Sequence, residues 1–549
     1  MKPARFELEQ MHLSPQDASP QDASVPWWRH ALIYQIYPLS FQDSDGDGKG
    51  DLPGIAARLD HLSWLGVDAV WLGPVHPSPM KDFGYDIEDF TGIDPVFGTL
   101  VDFERLLALL HARGIRLILD FVPNHTSDRH PWFQASRASR SDARRDWYVW
   151  ADPAPDGGPP NNWLSRFGGS AWAWDEATGQ YYYHAFLKEQ PDLNWRNPDV
   201  RAAMCEVMRT WLRRGVDGFR IDAAAVLAED RYLRNDPPNP EADKAPPPER
   251  YKRVYTNYRP EVLDWLAELR QAVEPFGDRV LLGEVDTSGD RIADFYGSAE
   301  RPILHLPLNY GLLDAPWEAD GVRRMLEDYL ELVLAQGWPN WVIGGHDKKR
   351  MHDLRGPEHL RVVAMMLLTL PGTSILYAGE EIGMRGAHVE QPHDPFELLV
   401  PGWGLDRDPQ RSPMQWDATA NAGFTRGQPW LPAAEGFEHC NVAAQREDAG
   451  SLLTLYRELI RLRRSDAALR EGAFEHPFAA GTVLGYTRRH RNRCLLVLLN
   501  LGGTRQMVRR PDGCRANVLL ATTQAPQHAA ALDGTVPCEA HQGLIITLA

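Results

Sequence analysis

The sequence predicts an α/β fold: a (β/α)8 TIM barrel with a subdomain inserted after its third strand and an antiparallel β-sandwich domain at the C-terminus. From Trp27 onward, short runs rich in Val, Ile and Leu alternate with longer helical patterns, which is typical of βαβ units around a parallel sheet. Eight such runs occur, one for each strand of a barrel. After about Ala473 the helical patterns stop and only short strand patterns continue.

The eight barrel strands are predicted at residues 31–38, 67–74, 116–123, 218–223, 280–285, 303–308, 341–347 and 373–380. Amphipathic helices precede the third and fifth strands, and Gly114 and Gly277 stand where these helices should end. The most apolar stretch of the chain begins at Val362 and is broken by Pro371 and Gly372. This pattern predicts a buried helix followed by a buried strand.

Three segments fall outside the barrel, which we assign to residues 26–124 and 201–473. Residues 125–200 are rich in Trp, Tyr, Gly and Pro and are too long for an ordinary loop, so they are predicted to form a small inserted subdomain. Residues 474–549 contain the runs TVLGYTRR, CLLVLLNLG and GLIITLA and are predicted to form an all-β domain. Residues 1–25 carry a tandem SPQDA repeat without the apolar core of a signal peptide, and we expect a disordered leader.

The composition argues against several classes of partner. The 549 residues include 58 Lys and Arg against 75 Asp and Glu, a net charge of −17. Nucleic acids and anionic membranes both favour clustered basic residues, so neither is expected as a partner. No run reaches the roughly 18 consecutive apolar residues of a transmembrane helix, and the five scattered Cys residues suit neither a disulfide framework nor a zinc site. This pattern indicates reduced thiols in a cytoplasm.

Polar side chains cluster where the predicted strands end. In a TIM barrel the active site lies at the carboxyl ends of the strands. The polar residues at these ends are Asp120, Asn124, His125, Arg220, Asp222, Glu284, His346 and Asp347. A single carboxylate beside an Arg can be a structural ion pair, but polar ends on four strands favour an active site.

Carboxylates at one barrel mouth suit the cleavage of glycosidic bonds, in which one carboxylate attacks the anomeric carbon and a protonated partner gives its proton to the leaving oxygen. Arg220 lies two residues before Asp222, so on a strand both side chains point to the same side. We expect the guanidinium to lower the pKa of Asp222 and keep this nucleophile ionised. Glu284 follows the apolar run VLLG, an environment that suits a protonated general acid.

Six segments carry a family resemblance. DFVPNH, GFRIDAA, GEV and GGHD, in this order, resemble the four sequence regions of the α-amylase family of retaining glycoside hydrolases. QPDLNW at 190–195 and RSPMQW at 411–416 are similar to segments of its α-glucosidase and oligo-1,6-glucosidase branch. The resemblance implies that Asp222 is the nucleophile, Glu284 the acid/base and Asp347 the carboxylate that stabilises the transition state.

The same resemblance implies residues that bind the reacting sugar. His125 and His346 would hydrogen-bond hydroxyl groups of the glucose, and Arg220 would orient Asp222. Gly345 stands where the family commonly has Asn, a departure that affects a neighbouring contact rather than the activity.

The resemblance also places the floor and the cover of the pocket. Asp82 and Tyr85, in KDFGYD, match residues that bind the non-reducing end of glucose and stack on its face. Arg411 is expected to pair with Asp82 and close the pocket, with Arg407 as the competing candidate, and a closed pocket implies exo action. Phe167, in RFGGSAW, matches an aromatic residue that covers the sugar, and the alternative is a core residue of the subdomain.

An acidic loop follows the first predicted strand. Oxygen atoms recur at alternate positions of this loop, and oxygen is the ligand that Ca²⁺ prefers. The candidate ligands are Asp43, Asp45, Asp47, Asp51 and the backbone carbonyl of Lys49. The loop is not an EF-hand, since Gly54 stands where an EF-hand has its bidentate Glu. It resembles a calcium loop of the oligo-1,6-glucosidase branch, so we expect a structural Ca²⁺, with Mg²⁺ or a solvated acidic turn as alternatives.

Two features bear on the choice of substrate. Ala223 follows the nucleophile, and the resemblance associates Ala at this position with α-1,4 or mixed specificity rather than α-1,6 specificity. Residues 230–258 form a long Pro-rich segment near the expected entrance of the pocket. This segment resembles α-glucosidases that prefer short substrates and also transfer glucose to other acceptors.

We therefore predict a retaining, exo-acting α-glucosidase that releases terminal α-linked glucose from disaccharides or short oligosaccharides. It should favour α-1,4 over α-1,6 linkages and carry out some transglucosylation. A trehalose synthase or a sucrose-using transglucosylase of the same family is the first alternative. A non-catalytic α-amylase-like protein is the second, although such proteins lack the catalytic carboxylates and carry a membrane span. We expect a monomer or a homodimer whose partner is its small carbohydrate substrate.

Overall fold

A computed structural model of the protein describes residues 25–285, 291–509, 516–523 and 534–548. The leader expected at residues 1–25 lies outside the described residues, apart from Val25, and so does Cys514. Within the described ranges, the free thiols are Cys205, Cys440, Cys494 and Cys538. None of the helices described there has both the length and the apolar character required to cross a membrane.

Numbered along the chain, the described strands are β1 (Leu32–Ile36), β2 (Ala69–Leu72), β3 (Arg116–Phe121), β4 (Trp150–Ala151), β5 (Trp172–Asp175), β6 (Gln180–Tyr183), β7 (Gly218–Ile221), β8 (Val280–Gly283), β9 (Leu306–Pro307), β10 (Asn340–Val342), β11 (Thr373–Tyr377), β12 (Ala473–Ala480), β13 (Val483–His490), β14 (Arg493–Asn500), β15 (Gln506–Arg509), β16 (Ala516–Ala521), β17 (Thr535–Cys538) and β18 (Gly543–Leu548).

The α-helices are α1 (Leu52–Ala57), α2 (Leu59–Leu65), α3 (Leu100–Ala112), α4 (Pro131–Ala138), α5 (Pro198–Arg214), α6 (Glu261–Val273), α7 (Arg291–Asp294), α8 (Gly311–Asp314), α9 (Ala319–Leu334), α10 (Met351–Arg355), α11 (Leu360–Thr369), α12 (Pro395–Leu399), α13 (Val442–Glu447), α14 (Leu452–Ser465) and α15 (Ala467–Arg470).

Eight parallel strands form the central sheet in the order β10-β11-β1-β2-β3-β7-β8-β9. The gap between β9 and β10 is bridged by hydrogen bonds. The amide nitrogen of Val342 donates to the Asn309 carbonyl at 3.3 Å, and the Asn340 side chain donates to the Pro307 carbonyl at 2.6 Å. The sheet is therefore a nearly closed barrel, and the predicted fold class is confirmed.

Local sequence signals set the helices between these strands. Helix α3 begins with a capping box in which Thr99 and Asp102 satisfy each other's backbone N–H groups. It ends before Gly114, which has a φ of 71°, a left-handed conformation that glycine adopts without strain. The apolar stretch from Val362 forms α11 and β11 as predicted, with nearly every side chain buried.

Alternate side chains of the strands fill the barrel interior. Seven of the eight barrel strands contribute to one buried cluster that contains Ile33, Ala69, Trp71, Ile118, Val280, Leu282, Leu306, Val342 and Ile375. The eighth, β7, places Gly218 and Arg220 at the equivalent positions. Asp120 pairs in register with Arg220, so this ion pair lies inside the barrel, directly beyond the apolar layers.

The insertion between β3 and α5 contains a three-stranded antiparallel sheet in the order β4-β6-β5. Its small core is aromatic: the Trp163 and Trp172 rings stack at 5.8 Å, and the Tyr183 ring packs edge-on against Trp163 and tilted against Trp172.

The C-terminal part of the chain is built from antiparallel sheets. One has five strands in the order β12-β13-β14-β18-β16, and β15 pairs with β17 in a second. The two sheets enclose a shared apolar cluster that includes Leu498, Val508 and Val536. On the side of the barrel, the Tyr486 hydroxyl hydrogen-bonds the Thr369 hydroxyl of α11 at 2.6 Å.

All eight barrel strands are shorter than predicted, and β9 and β10 each share only two residues with their predicted ranges. Strand β10 ends at residue 342, whereas the prediction ran to 347, because the chain turns back where the Lys348 N–H donates to the Gly345 carbonyl at 3.2 Å. His346 and Asp347 therefore stand on a tight turn and not on the strand. Strand β9 is limited to residues 306–307, and Pro307 has no N–H to extend the ladder.

Candidate active site

A cavity of about 520 Å³ opens at the carboxyl ends of the barrel strands. Seven of the ten residues predicted for catalysis and sugar binding line it directly, namely Asp82, Tyr85, His125, Phe167, Asp222, Glu284 and Asp347. The other three, Arg220, His346 and Arg411, are buried directly behind this lining. The structure therefore brings the whole predicted set together.

The Arg220 guanidinium is the centre of the catalytic end of the cavity. Its Nη1 lies 2.9 Å from Asp120 Oδ1 and 2.5 Å from Asp222 Oδ1, and its Nη2 lies 2.8 Å from Glu284 Oε2. Three carboxylates from three neighbouring strands thus share one buried cation. Two of them, Asp222 and Glu284, reach the cavity.

A strained turn fixes the direction of Asp222. The next residue, Ala223, has a φ of 48°, a left-handed conformation that costs a non-glycine residue free energy. The Ala223 N–H donates to Glu284 Oε2 at 3.1 Å, and the Ala224 N–H donates to the Glu284 carbonyl at 2.9 Å. These bonds tie the side chain and the backbone of Glu284 to the turn that follows Asp222.

Burial raises the pKa of Asp222 well above its ordinary value. The Arg220 guanidinium opposes this shift, while the negative charges of Glu284, Asp120 and Asp347 add to it. The sequence-based expectation that Arg220 lowers the pKa of Asp222 is therefore wrong in its net direction. Arg220 does lower this pKa, but burial of the carboxyl and the neighbouring negative charges together outweigh its effect.

Asp347 has the opposite electrostatic setting. Burial alone would raise the pKa of this carboxyl, but His346, Arg407 and Arg411 outweigh burial and hold the pKa well below its usual range. Asp347 Oδ2 lies 3.0 Å from His346 Nε2, and its Oδ1 lies 3.1 Å from Arg407 Nη1 and 2.6 Å from Arg411 Nη2. Asp347 is therefore a fixed negative charge beside the cavity.

Arg407, and not Arg411, pairs with Asp82. Arg407 Nη2 lies 3.0 Å from Asp82 Oδ1 and 2.6 Å from Asp394 Oδ1. The expected pairing of Arg411 with Asp82 is wrong, because Arg411 is turned inward and its Nε donates to the His346 carbonyl at 3.0 Å. The competing candidate named from the sequence makes the contact.

Tyr85 and His346 meet on one side of the cavity. The Tyr85 hydroxyl lies 2.7 Å from His346 Nε2 and donates to Asp120 Oδ2 at 3.0 Å. The two rings are nearly parallel, with centroids 5.4 Å apart. Tyr85 thereby links the His346 side of the site to the carboxylates around Arg220.

His125 is neutral in this environment, since burial lowers its pKa to about 4. Its Nε2 lies 3.1 Å from the Tyr85 carbonyl and 3.1 Å from Gln190 Nε2. Gln190 also donates to Asp82 Oδ2 at 3.1 Å. Gln190 thus connects His125 to the ion pair at the floor of the cavity.

Phe167 lies over the ion pair at the wall of the cavity. Its ring centroid is 4.3 Å from that of Phe396, and the Arg407 guanidinium lies 5.3 Å from the Phe167 ring and 4.9 Å from the Phe396 ring. Phe167 is absent from the aromatic core of the inserted sheet, among the residues described. The position favours a cover of the cavity over a core residue of the subdomain.

The sequence profile of a family described as "Alpha amylase, catalytic domain" matches residues 35–472. The chain belongs to the alpha-amylase family. It is 42% identical over 495 residues to the probable alpha-glucosidase of Rhizobium meliloti (strain 1021), which covers 86% of this chain and 89% of that relative. It is 37% identical over 528 residues to the oligo-1,6-glucosidase of Parageobacillus thermoglucosidasius, with 88% and 92% covered.

A solved structure agrees with these relatives. The alpha-amylase family protein described here matches the crystal structure of an alpha-glucosyl transfer enzyme, XgtA, with a TM-score of 0.89 and 40% identity, over 96% of this chain and 100% of that chain. The predicted family and enzyme class are confirmed: the protein is a glycoside hydrolase of the α-glucosidase and oligo-1,6-glucosidase branch, and its substrate is a carbohydrate.

Sequence reasoning gave no role to three residues of this alpha-amylase family site, although it had noted Asp120 at a strand end. Asp120 belongs to DFVPNH and Gln190 opens QPDLNW, so both stood inside motifs that had been recognised, and a signal for each was available. Asp394 caps α12 by accepting the Phe396 N–H at 3.3 Å and holds Arg407. It stands in a segment without a distinctive pattern, so no local signal pointed to it.

The acidic loop after β1 gathers three of its five candidate ligands. Asp43, Asp45 and Asp51 each offer a carboxylate oxygen, and these oxygens all lie within 4.8 Å of one another. Three hard anionic oxygens at this spacing fit Ca²⁺ or Mg²⁺. Asp47 is outside this group, and its carboxylate accepts the Lys49 N–H at 2.8 Å.

Proposed function

We propose that this protein is a retaining, exo-acting α-glucosidase that releases terminal α-linked glucose from disaccharides and short oligosaccharides. One observation carries the proposal: the Asp222 and Glu284 carboxylates contact the two terminal nitrogens of one guanidinium at the wall of a single cavity. Two carboxyl groups that share one guanidinium lie close together, and in this proposal they act on the two sides of one glycosidic bond. Retaining glycosidases require such a close pair, whereas inverting enzymes need room for a water molecule between them.

In the proposed reaction, Asp222 attacks the anomeric carbon while Glu284 gives its proton to the leaving oxygen. A covalent glucosyl-enzyme forms, and Glu284 then takes a proton from the incoming water. Only one of the two carboxyls needs to be protonated at the start. Arg220 contacts one oxygen of each carboxyl, which leaves the other Asp222 oxygen for the attack.

Asp347 would act on the sugar through its fixed negative charge. The Arg407 and Arg411 guanidinium groups and the nearby His346 imidazole keep it ionised, so it can bind hydroxyl groups beside the reacting carbon and favour the positively charged transition state. In this proposal His346 and His125 hydrogen-bond hydroxyl groups of the same glucose.

Exo action follows from the closed end of the cavity. Asp82 and Arg407 neutralise each other at the floor, and Phe167 lies above the guanidinium. A terminal glucose can fill this end with its non-reducing hydroxyls on Asp82, and Tyr85 can stack against the ring. A chain that continues beyond this glucose would meet the ion pair.

Transfer of glucose to other acceptors is part of the proposal. The entrance is walled by Pro246 and Pro248 of the Pro-rich segment. Arg253 fixes this wall, because its guanidinium donates to the carbonyls of Leu164 at 2.8 Å, Ser165 at 3.3 Å and Pro248 at 3.2 Å. A wall held in place by these hydrogen bonds suits an acceptor sugar that competes with water. Similarity to an alpha-glucosyl transfer enzyme supports this part, and Ala223 supports α-1,4 over α-1,6 linkages.

We also propose that Asp43, Asp45 and Asp51 hold a structural Ca²⁺, with Mg²⁺ as the alternative. The cation would neutralise three negative charges that the fold brings together in one loop. The location in a cytoplasm and the state of a monomer or homodimer stay predictions from the sequence.

A product panel tests the proposed function. The protein is incubated with maltose, isomaltose, sucrose, trehalose and kojibiose, and the products are separated. Glucose from maltose, a smaller amount from isomaltose, and trisaccharide at high substrate concentration are expected. A conserved amount of disaccharide in an isomerised form would instead assign a trehalose synthase or a related isomerase. Failure to release glucose from both maltose and isomaltose would contradict the proposal.

A further inference from the structure

We propose that Gln35 is a positioning residue that selects which nitrogen of His346 carries the hydrogen. The inference rests on the proposed function, because it gives His346 a sugar to bind. Gln35 was not singled out by any motif, and it makes its contact from the opposite side of His346 to the cavity.

The fold sends Gln35 into the barrel. It lies on β1, where it pairs in register with Trp71 of β2. It follows Ile33 by two residues, so its side chain points to the same side as that of Ile33, which belongs to the interior apolar cluster. Its side chain is 1% exposed. A polar amide at this depth requires a specific partner, because a buried polar group without a hydrogen bond costs free energy. That partner is His346 Nδ1, 2.8 Å from Gln35 Nε2.

The neighbours of the other imidazole nitrogen are both acceptors. His346 Nε2 lies 3.0 Å from the Asp347 carboxylate, which only accepts. It lies 2.7 Å from the Tyr85 hydroxyl, whose own hydrogen is donated to Asp120 at 3.0 Å. A hydrogen on Nε2 therefore satisfies this side, and a lone pair there would face two oxygen lone pairs.

The Gln35 amide completes this choice. Its nitrogen only donates, so it requires a lone pair on Nδ1 and leaves the hydrogen on Nε2. The imidazole ring cannot flip about its Cβ–Cγ bond, because it is stacked between the Tyr37 ring, at 5.3 Å, and the Tyr85 ring, at 5.4 Å. Gln35 thus presents the N–H of His346 to Asp347 and, in the proposed reaction, to the glucose.

The Gln35 oxygen faces Gly345. Among the described residues no protein group donates to this oxygen, and a Cβ built on Gly345 would stand 3.4 Å from it. Within the described chain, the bond from its nitrogen to His346 is therefore the only hydrogen bond of the Gln35 side chain.

The test compares Gln35→Glu, Gln35→Met and Gln415→Met. Glutamate keeps the shape of Gln35 but can only accept, so it favours a hydrogen on Nδ1, and methionine removes the hydrogen bond while keeping the length. Gln415 is a matched control: it is also 1% exposed, donates one hydrogen bond, to the Ala434 carbonyl at 3.1 Å, and has a buried oxygen without a described partner.

The first readout is independent of activity. With histidine labelled with ¹⁵N, the His346 signals are assigned by their loss in His346→Ala. The imidazole ¹⁵N shifts are expected to place the hydrogen on Nε2 in the wild type and in Gln415→Met, and to move towards Nδ1 protonation in Gln35→Glu. A wild-type hydrogen on Nδ1, or no change in Gln35→Glu, would overturn the inference whether or not the protein is an α-glucosidase.

The second readout is kinetic. With p-nitrophenyl α-glucoside, Gln35→Met is expected to lower kcat/KM by about 10- to 100-fold, as lost orienting hydrogen bonds do at other sites, and Gln35→Glu to lower it further. Gln415→Met should change kcat/KM by less than about 2-fold, because the Gln415 side chain hydrogen-bonds Ala434 and not a residue assigned to the site. In the His346→Ala background, Gln35→Met should have no further effect. A further loss as large as in the wild type would mean that Gln35 acts elsewhere, and an inactive wild type would count against the proposed function alone.

Discussion

Arg407 and Asp82 form a 3.0 Å ion pair that joins segments 325 residues apart at the floor of the cavity. Asp394 holds the same guanidinium at 2.6 Å and Asp347 holds it at 3.1 Å. One side chain thus organises the closed end of the pocket and contacts Asp347, the carboxylate that we propose acts beside the reacting carbon.

Replacing Arg407 by Met should damage both binding and folding. Three buried or half-buried carboxylates would lose their shared cation, and breaking a buried ion pair costs about 3–5 kcal/mol. We expect a lower free energy of unfolding in urea and a raised KM for maltose. Arg323→Met is the control, because Arg323 pairs with Asp320 at the surface, where such a pair contributes about 1 kcal/mol or less. Equal effects of the two variants would contradict the role given to Arg407.

Asp222→Asn should abolish turnover and stabilise the protein at neutral pH. Loss of the nucleophile should reduce kcat by about 10⁴-fold or more. Burial raises the pKa of Asp222, so the folded protein holds this proton more tightly than the unfolded chain. The carboxyl then costs stability once the pH exceeds the ordinary Asp value of about 3.9. The melting temperature of the variant should exceed that of the wild type at pH 7, and the difference should shrink towards pH 4. A variant that melts below the wild type at pH 7 would refute this.

Asp347→Asn should shift the stability in the opposite direction. His346, Arg407 and Arg411 hold the pKa of Asp347 well below its usual range, so its ionised form stabilises the fold above about pH 4 and this stabilisation fades as the pH falls through the native pKa. The variant should melt below the wild type at pH 7 and approach it near pH 3. The same series of melting curves as for Asp222→Asn checks the prediction, and equal pH profiles of the two variants would contradict it.

Removal of divalent cations should lower the melting temperature without changing the active site. At a cation concentration of 100 times Kd, binding stabilises a protein by about 2.7 kcal/mol. EDTA should lower the melting temperature of the wild type, and added Ca²⁺ should restore it. Asp43→Asn should abolish this response, whereas Asp47→Asn, outside the group of close oxygens, should keep it. An unchanged response of Asp43→Asn would show that the loop does not bind the cation.

Much of this fold could be predicted because the barrel repeats one local pattern. Buried strands alternate with amphipathic helices, and the spacing of Arg220 and Asp222 on a strand already places them on one side. The resemblance of short motifs located the cavity residues. These inferences depend on neighbours in the sequence or on segments that keep their order.

The parts that could not be predicted depend on distant contacts. The choice between Arg407 and Arg411 is made by the turn at His346, whose carbonyl takes the Arg411 Nε–H. The direction of the pKa shift of Asp222 depends on how many carboxylates share Arg220 and how deeply they are buried. The contact of Gln35 with His346 joins residues 311 positions apart and carries no local signal.

Proton NMR of the glucose first released from p-nitrophenyl α-glucoside, whose leaving group is not a sugar, tests the proposed mechanism most directly. Double displacement at Asp222 retains the configuration, so the α-anomer should appear first and convert slowly to the equilibrium mixture. Early accumulation of the β-anomer would mean a single displacement by water and would contradict the assignment of Asp222 as a nucleophile.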